Sequence, residues 1–170
     1  MTQGKQFLLQ QLSNALVVEQ TITQNEQLLG SQIQDPELQQ QLQQMANEDQ
    51  GHVANFQRVI ETMGGQPLPP EPEAQTLVSA LRQTVETGQD PLLKLEAHGL
   101  LKHKAVAAGK MFHALAEQLG NPPSLQPLNV NLQEDQRHEQ QLSEGLVKLA
   151  QQQATSGGGM QELQQAVAAS

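Results

Sequence analysis

Apolar residues recur at intervals of three and four along most of the chain, and Gly and Pro divide this pattern into blocks. Such spacing places one side of each block in a core, which is typical of amphipathic α-helices. The pattern predicts four long helices, over about 5–31, 36–63, 91–119 and 128–153, and a shorter one over about 74–87. The sequence therefore predicts an all-α protein.

Aspartate–proline pairs and glycines mark the helix boundaries. Asp35 with Pro36 and Asp90 with Pro91 each supply a capping carboxylate and then a proline suited to the first helical position. QPLPPEPE, which precedes the short helix, cannot be helical, so a long crossover joins the second and third long helices. One long crossover in a four-helix set is the ferritin-like variant of the bundle.

The predicted helix boundaries divide the chain into two units. Residues 1–154 are assigned to the four-helix bundle, with the extra short helix in its crossover. The stretch SGGG then begins a Gly-rich segment, so residues 155–170 are predicted to be a flexible joint and a short C-terminal helix or tail.

The composition of the chain limits which ligands and partners it is expected to bind. Cysteine is absent, so oxygen and nitrogen atoms must hold any metal. The net charge is -9 and the nine Lys and Arg are scattered singly, which argues against a nucleic-acid or anionic-membrane surface and favours metal ions. No apolar run approaches the roughly 18 residues that span a bilayer. We therefore expect a cytoplasmic protein.

The segments EDQGH at 48–52 and EDQRH at 134–138 repeat one pattern on two helices. At about 100° per residue, Asp49 and His52 interrupt the apolar side of the second helix, and Asp135 and His138 interrupt that of the last helix. An acid and a histidine three residues apart can bind one metal together. For either motif alone, solvated acids paired with boundary histidines are the simpler interpretation, but the repetition at equal phase favours a metal site.

Two further carboxylates, those of Glu19 and Glu26, lie on the inward side of the first helix. Burying unpaired charges costs several kcal/mol each. An interior with three or more carboxylates and two imidazoles therefore favours a bound cation. Hard oxygen ligands with imidazole suit iron or manganese.

Several segments resemble the bacterial ferritin-like stress proteins of the YciE/YciF type. VEQTITQNEQLL resembles their first helix, PELQQQLQQMANEDQGHVANFQRVIETMGG their second, and HALAEQLGN with LQEDQRHEQQLSEGLVKLA their fourth. The similarity covers roughly residues 8–150. It implies a ferritin-like bundle with an extra crossover helix, a homodimer, and a dimetal centre of iron or manganese.

The resemblance and the helical pattern differ on the acids of the repeated motifs. The resemblance implies Glu19, Glu48 and Glu134 as metal ligands, whereas the helical pattern favours Asp49 and Asp135. Both alternatives stay in the candidate set, which comprises Glu19, Glu48, Asp49, His52, Glu134, Asp135 and His138.

The third long helix departs from the family pattern. Relatives tend to have an acidic residue there, followed by His and Tyr, but this chain has Lys102, His103, Lys104 and Ala105. Lys102 flanks the predicted inward line, where an ammonium group would neutralise carboxylates in place of a second metal. His98 lies on that line, as a substitute ligand or as a boundary histidine.

Three function classes remain. The first is a metal-binding ferritin-like protein related to oxidative stress, with a di-metal carboxylate oxidase or ferroxidase-like activity as its enzymatic form. The second is a degenerate, metal-free bundle that acts as a structural or partner-binding module. The third is a bundle carrying an organic ligand, which requires an apolar interior cavity.

Overall fold

The computed structural model describes residues 2–155, which form five α-helices and no strand. These are α1 (Gln3–Gln32), α2 (Pro36–Thr62), α3 (Pro72–Thr87), α4 (Pro91–Gln118) and α5 (Pro127–Thr155), with a 3-10 turn at Pro123–Leu125. The predicted all-α fold is confirmed. The predicted joint and C-terminal helix or tail lie outside the described residues, apart from Thr155.

Both predicted aspartate–proline helix starts are present. The Asp35 carboxylate accepts a hydrogen bond from the Leu38 amide at 3.0 Å, and the Asp90 carboxylate accepts one from the Leu92 amide at 3.0 Å. These bonds satisfy amides that have no partner inside the helix. The local sequence therefore determines where α2 and α4 begin.

The long helices pack as two hairpins. α1 lies along α2, and α4 lies along α5, while α3 packs over α1 and α4. The crossover between α2 and α4 carries α3, as the proline-rich segment predicted. Within residues 2–155, none of the helices is both long enough and apolar enough to cross a membrane.

The core has two apolar ends with a polar layer between them. At one end Leu12 and Leu16 pack near Phe56 and Phe112, whose rings meet edge to face at 5.8 Å. The other end contains the buried residues Leu29, Leu42, Leu95 and Leu142. Burial of each such side chain contributes about 1.5–3 kcal/mol. The two ends hold the four long helices together and so position the polar side chains in the middle.

The inward side of α4 differs from the predicted one. Four positions of the predicted line are buried, but its last residue, Leu119, caps the helix and is 61% exposed. The predicted line was His98, Leu101, Ala105, Ala108, Phe112, Leu115 and Leu119. Lys102, predicted to flank the line, is fully buried. Lys102 faces α2 and α5, while α3 covers a second side of α4, where Leu101 packs with Val78. Because two sides of α4 are buried, its apolar pattern does not identify which one faces the centre.

Candidate metal centre

The middle of the bundle holds eight polar side chains from its four long helices. Each of these residues is at most 2% exposed: Glu19, Glu26, Asp49, His52, His98, Lys102, Asp135 and His138. Acids and imidazoles that lie far apart in the chain therefore share one dry layer.

A first donor set consists of Glu19, Asp49, His52 and Asp135, each with a ligand atom within 4.8 Å of the others. Nδ1 of His52 lies 3.2 Å from Oδ1 of Asp49, 3.4 Å from Oδ1 of Asp135 and 3.6 Å from Oε2 of Glu19. Within residues 2–155, Oε2 of Glu19, Oδ1 of Asp49 and Nδ1 of His52 have no hydrogen-bond partner. Buried polar atoms are rarely left in this state, so these atoms are available to a cation or to a proton on His52.

A second donor set, Glu26, Asp49 and His138, surrounds the ammonium group of Lys102. Lys102 donates to Oδ2 of Asp49, to Oδ1 of Asp135 at 3.0 Å and to Nδ1 of His138 at 3.0 Å. Its Nζ also lies 3.5 Å from Oε1 of Glu26. An ammonium has three N–H groups, and all three are used here. The second set already contains a cation.

The glutamates of the repeated motifs bind the outer nitrogens of the histidines. Nε2 of His52 donates to Glu134 at 2.8 Å, and Nε2 of His138 donates to Glu48 at 2.6 Å. Glu48 also pairs with Arg137. A carboxylate on the outer nitrogen fixes the ring and leaves Nδ1 facing inward, as is usual for metal-binding histidines.

This arrangement separates the adjacent acids of each motif. Asp49 and Asp135 point into the centre, as the helical pattern favoured. The side chains of Glu48 and Glu134 are 24% and 30% exposed and lie on the far side of the imidazoles. The structure therefore brings Glu19, Asp49, His52, Asp135 and His138 together at the centre, and places the two glutamates around them.

Burial raises the pKa values of two acids of the centre, whereas neighbouring groups lower that of a third. Burial raises the pKa of Glu19 to about 7, and the neighbouring Asp135 charge adds to the effect. Burial also raises the pKa of Glu26 well above its ordinary value. Asp49 is desolvated as well, but the proximity of His138, whose Nδ1 lies 3.3 Å from Oδ1, and the charge of Lys102 hold its pKa below the ordinary range. Asp49 is thus the acid best suited to remain ionised.

The same acids raise the pKa values of two basic groups. Burial opposes the charge on Lys102, but the carboxylates of Glu26 and Asp49 outweigh it and raise the pKa of the lysine. Burial likewise opposes the charge on His52, but interactions with Asp135 and Glu19 raise its pKa to about 11. In the metal-free protein, an imidazolium at His52 therefore balances part of the acidic charge.

The other histidines have different environments. His98 lies with Nε2 at 3.3 Å from Oε1 of Glu26, and burial together with the Lys102 charge lowers its pKa to about 3, so the ring is neutral. Outside the bundle, the ring of His103 contacts Glu139 at 2.7 Å. The ring of His113 contacts Asn129 at 2.9 Å. The bundle therefore places one α4 histidine inside and two on its surface.

Three members of the centre, Glu26, His98 and Lys102, were absent from the predicted metal set. Glu26 carried a signal, because it lies two turns after Glu19 on the inward side of α1. Lys102 carried a signal as well, because it flanks the predicted inward line one turn after His98. The packing of α4 places its ammonium group against Asp49 and Asp135.

The residues present fit one metal ion. Three carboxylates and one imidazole, with unpartnered donor atoms, provide the oxygen-rich ligand set that suits iron or manganese. The second set is engaged by Lys102. A bound ion of this kind would supply Lewis-acid and one-electron redox chemistry.

Comparisons with solved structures show the fold. The E. coli stress protein YciF is 17% identical, with a TM-score of 0.74 over 89% of this chain and 99% of that one. YcfI, a putative structural protein from Rhodopseudomonas palustris, is 23% identical, with a TM-score of 0.66 over 84% of this chain and 94% of that one. The resemblance predicted from the helix segments is therefore confirmed at the level of fold.

Sequence comparisons give one further relative and the family. A DNA nickase from Nostoc sp. PCC 7120 is 26% identical over 136 residues, which are 78% of this chain but only 38% of that protein. The family model described as Domain of unknown function (DUF892) matches residues 3–155. Because this match covers the whole bundle, the chain belongs to the DUF892 family.

Proposed function

We propose that this protein binds a transition metal ion, iron or manganese, in the middle of its helical bundle. The ligands in this proposal are Glu19, Asp49, His52 and Asp135. The observation that carries it is the group of three buried, unpartnered donor atoms, Oε2 of Glu19, Oδ1 of Asp49 and Nδ1 of His52, which point at one another.

The charge of the centre supports the proposal. Four carboxylates lie in a layer that is at most 2% exposed, together with a single lysine. Buried carboxylates without partners destabilise a fold by several kcal/mol each. A divalent ion within the first set would satisfy the three unpartnered atoms and compensate the ionised carboxylates among its ligands.

The outer glutamates support it as well. Nε2 of His52 donates a hydrogen bond to Glu134, and Nε2 of His138 donates one to Glu48. Both rings therefore present Nδ1 to the centre. Without a metal this orientation places an imidazole nitrogen against carboxylates and against a lysine. With a metal it is the orientation that ligation by His52 requires.

We propose that the bound ion serves an oxidative-stress role, with a small oxidant or iron itself as the substrate. A centre buried beneath four helices admits only small molecules, and one-electron chemistry matches the redox range of iron and manganese. The likeness to a protein named for stress in E. coli agrees with this role.

Metal content tests the proposal directly. Untagged protein would be produced with iron and manganese in the medium and analysed by elemental mass spectrometry, beside the double variant His52→Ala, His138→Ala. The matched control is His103→Ala, His113→Ala, which removes two surface imidazoles. We expect about one ion per chain in the wild type and the control, and none in the central variant, with all three equally helical by circular dichroism.

Equal and negligible metal in all three proteins would contradict this proposal and favour a second candidate, the metal-free bundle. Its supporting observation is the ammonium of Lys102 in the second donor set. Together with an imidazolium at His52, it offsets acidic charge without a metal. The organic-ligand class has less support, because charged side chains in direct contact fill the middle of the bundle.

A further inference from the structure

The lysine of α4 interrupts a ligand pattern that the other long helices follow. Carboxylate-bridged dimetal bundles take one Glu from each of two helices and an acid-x-x-His motif from each of the other two. Here α2 and α5 carry the acid-x-x-His motifs, and α1 carries inward glutamates. The buried residue that α4 presents to the same carboxylates is Lys102.

We infer that the ammonium group of Lys102 occupies the position of a second metal ion, so that each chain holds one metal and not a pair. This inference rests on the proposed function, since it defines the number of ions at the same centre. It distinguishes this protein from the dimetal centre that the family resemblance implied.

The contacts of Lys102 are those that a metal in the second position would make. Its Nζ reaches Asp49, lies 3.0 Å from Nδ1 of His138 and lies 3.5 Å from Oε1 of Glu26. These three residues are the complete second donor set. Both carboxylate oxygens of Glu26 are buried and accept no hydrogen bond from the described residues.

Asp49 joins the two positions. Its Oδ1 faces the first donor set, 3.2 Å from Nδ1 of His52, while its Oδ2 accepts from Lys102. A carboxylate that bridges two metal ions presents one oxygen to each of them. In this protein the same carboxylate would bridge a metal ion and an ammonium group.

A second ion cannot enter while the lysine stays in place. An incoming cation would have to lie where Nζ now contacts Asp49 and His138. Two positive charges so close together in a dry layer repel strongly. Lys102 is fully buried, so its side chain could leave the centre only if the packing around it changed. Chemistry that needs two adjacent ions is therefore closed to this chain.

Manganese loading of the wild-type protein tests the inference. The purified chain would be stripped of metal, titrated with Mn²⁺, desalted and analysed for manganese per chain, and its electron paramagnetic resonance spectrum recorded. We expect one Mn²⁺ per chain and the hyperfine pattern of an isolated ion. Two ions per chain with an exchange-coupled spectrum would overturn the inference and leave the proposed function intact. No bound manganese, with no bound iron in a parallel titration, would overturn both.

Substitutions at the lysine give an independent result. In Lys102→Glu, a carboxylate replaces the cation, and we expect manganese binding to rise from one to two ions per chain, with exchange coupling between them. Lys102→Arg keeps a positive charge and is the matched control, expected to stay at one ion. A Lys102→Glu protein that folds by circular dichroism and still binds one ion would contradict the inference. Should this variant not fold, the stoichiometry and spectrum of the wild type decide.

Discussion

Nε2 of His52 lies 2.8 Å from a carboxylate oxygen of Glu134, although the two residues belong to different hairpins of the bundle. The relationship is reciprocal, because His138 of the second motif donates to Glu48 of the first. The repeated sequence EDQ(G/R)H therefore makes a paired structure in which each motif completes the other. The aspartates face inward and the glutamates hold the rings from outside.

The outer glutamates, Glu48 and Glu134, should strengthen metal binding without being ligands themselves. We expect Glu134→Gln to weaken metal binding by about 10–100-fold, as is usual when a carboxylate that orients a ligating histidine is lost. Asp49→Asn should abolish binding, because Asp49 faces the proposed ion directly. Competition with a chelator of known affinity measures both.

The control for this comparison is Glu139→Gln. Glu139 contacts the surface ring of His103 at 2.7 Å, so it resembles Glu134 chemically but lies away from the centre. We expect wild-type metal affinity in this variant. Equal losses in Glu134→Gln and Glu139→Gln would mean that the cross-motif hydrogen bond has no role in metal binding.

The N-cap of α2 should make a measurable, pH-dependent contribution to stability. Asp35 accepts from the Leu38 amide and pairs with Lys148, and these interactions lower its pKa to about 2. We expect Asp35→Ala to lower the free energy of unfolding at pH 7 by about 1 kcal/mol. Urea denaturation monitored by circular dichroism gives the value.

The pH dependence has a definite sign. A carboxyl whose folded pKa is lowered stabilises the fold above its unfolded value of about 3.9, and that stability is lost as the pH falls towards 2. Asp35→Asn is the control, because Asn caps helices as well as Asp but does not titrate. Relative to this variant, the wild type should lose stability between about pH 4 and pH 2. A constant difference across that range would contradict the shifted pKa.

Two glycines of α4 should respond in opposite ways to alanine. A Cβ added at Gly109 would lie 3.0 Å from Cδ1 and 3.1 Å from Cβ of Leu132, where α4 and α5 approach closely. Since the Cβ of Leu132 cannot move independently of its backbone, we expect Gly109→Ala to destabilise the protein by about 1 kcal/mol or more.

At Gly99, by contrast, an added Cβ meets nothing within 4 Å. We expect Gly99→Ala to stabilise the helix by about 0.5–1 kcal/mol, because alanine has the higher helix propensity. Thermal unfolding of the two variants beside the wild type measures both effects. Stabilisation by both substitutions would show that the close contact between α4 and α5 is not present in solution.

The acidic charge leads us to expect no DNA binding by this chain. Its net charge is -9, and nonspecific binding depends on clustered Lys and Arg that neutralise phosphates. The chain spans only 38% of the Nostoc DNA nickase that it matches. A mobility-shift titration with a short duplex at about 100 mM salt should show no complex at the protein concentrations that reveal nonspecific binding, about 10⁻⁶–10⁻⁴ M. A salt-dependent complex would disprove this expectation.

Much of the fold was predictable because its signals are local. Asp35 and Asp90 with their prolines begin α2 and α4 at the predicted places, since a cap requires only residues adjacent in the chain. The apolar repeat identified the long helices, and the prolines of the crossover forced the long connection. Asp49 with His52, and Asp135 with His138, were placed inward by helical phase alone, and they are buried.

The hydrogen bonds from the histidine of each motif to the glutamate of the other could not be predicted from helical periodicity. Glu48 and Asp49 are neighbours in the chain, and a rotation by about 100° separates them. Which of the two faces the centre depends on the side of α2 that α5 contacts. Only the packed structure shows Glu48 bonded to His138 across the interface.

The sequence by itself determined the four long helices, their ends, the acidic and imidazole side chains on three of them, and the absence of thiolate ligands. The sequence placed Lys102 only beside the predicted inward line, and the tertiary structure decided that its ammonium group lies at the centre, where it contacts Asp49 and Asp135. The physical reason is that α4 is covered on two sides, by the bundle and by α3, so a local pattern cannot choose between them. The charge balance of the centre, and with it the number of ions it can hold, depends on that choice.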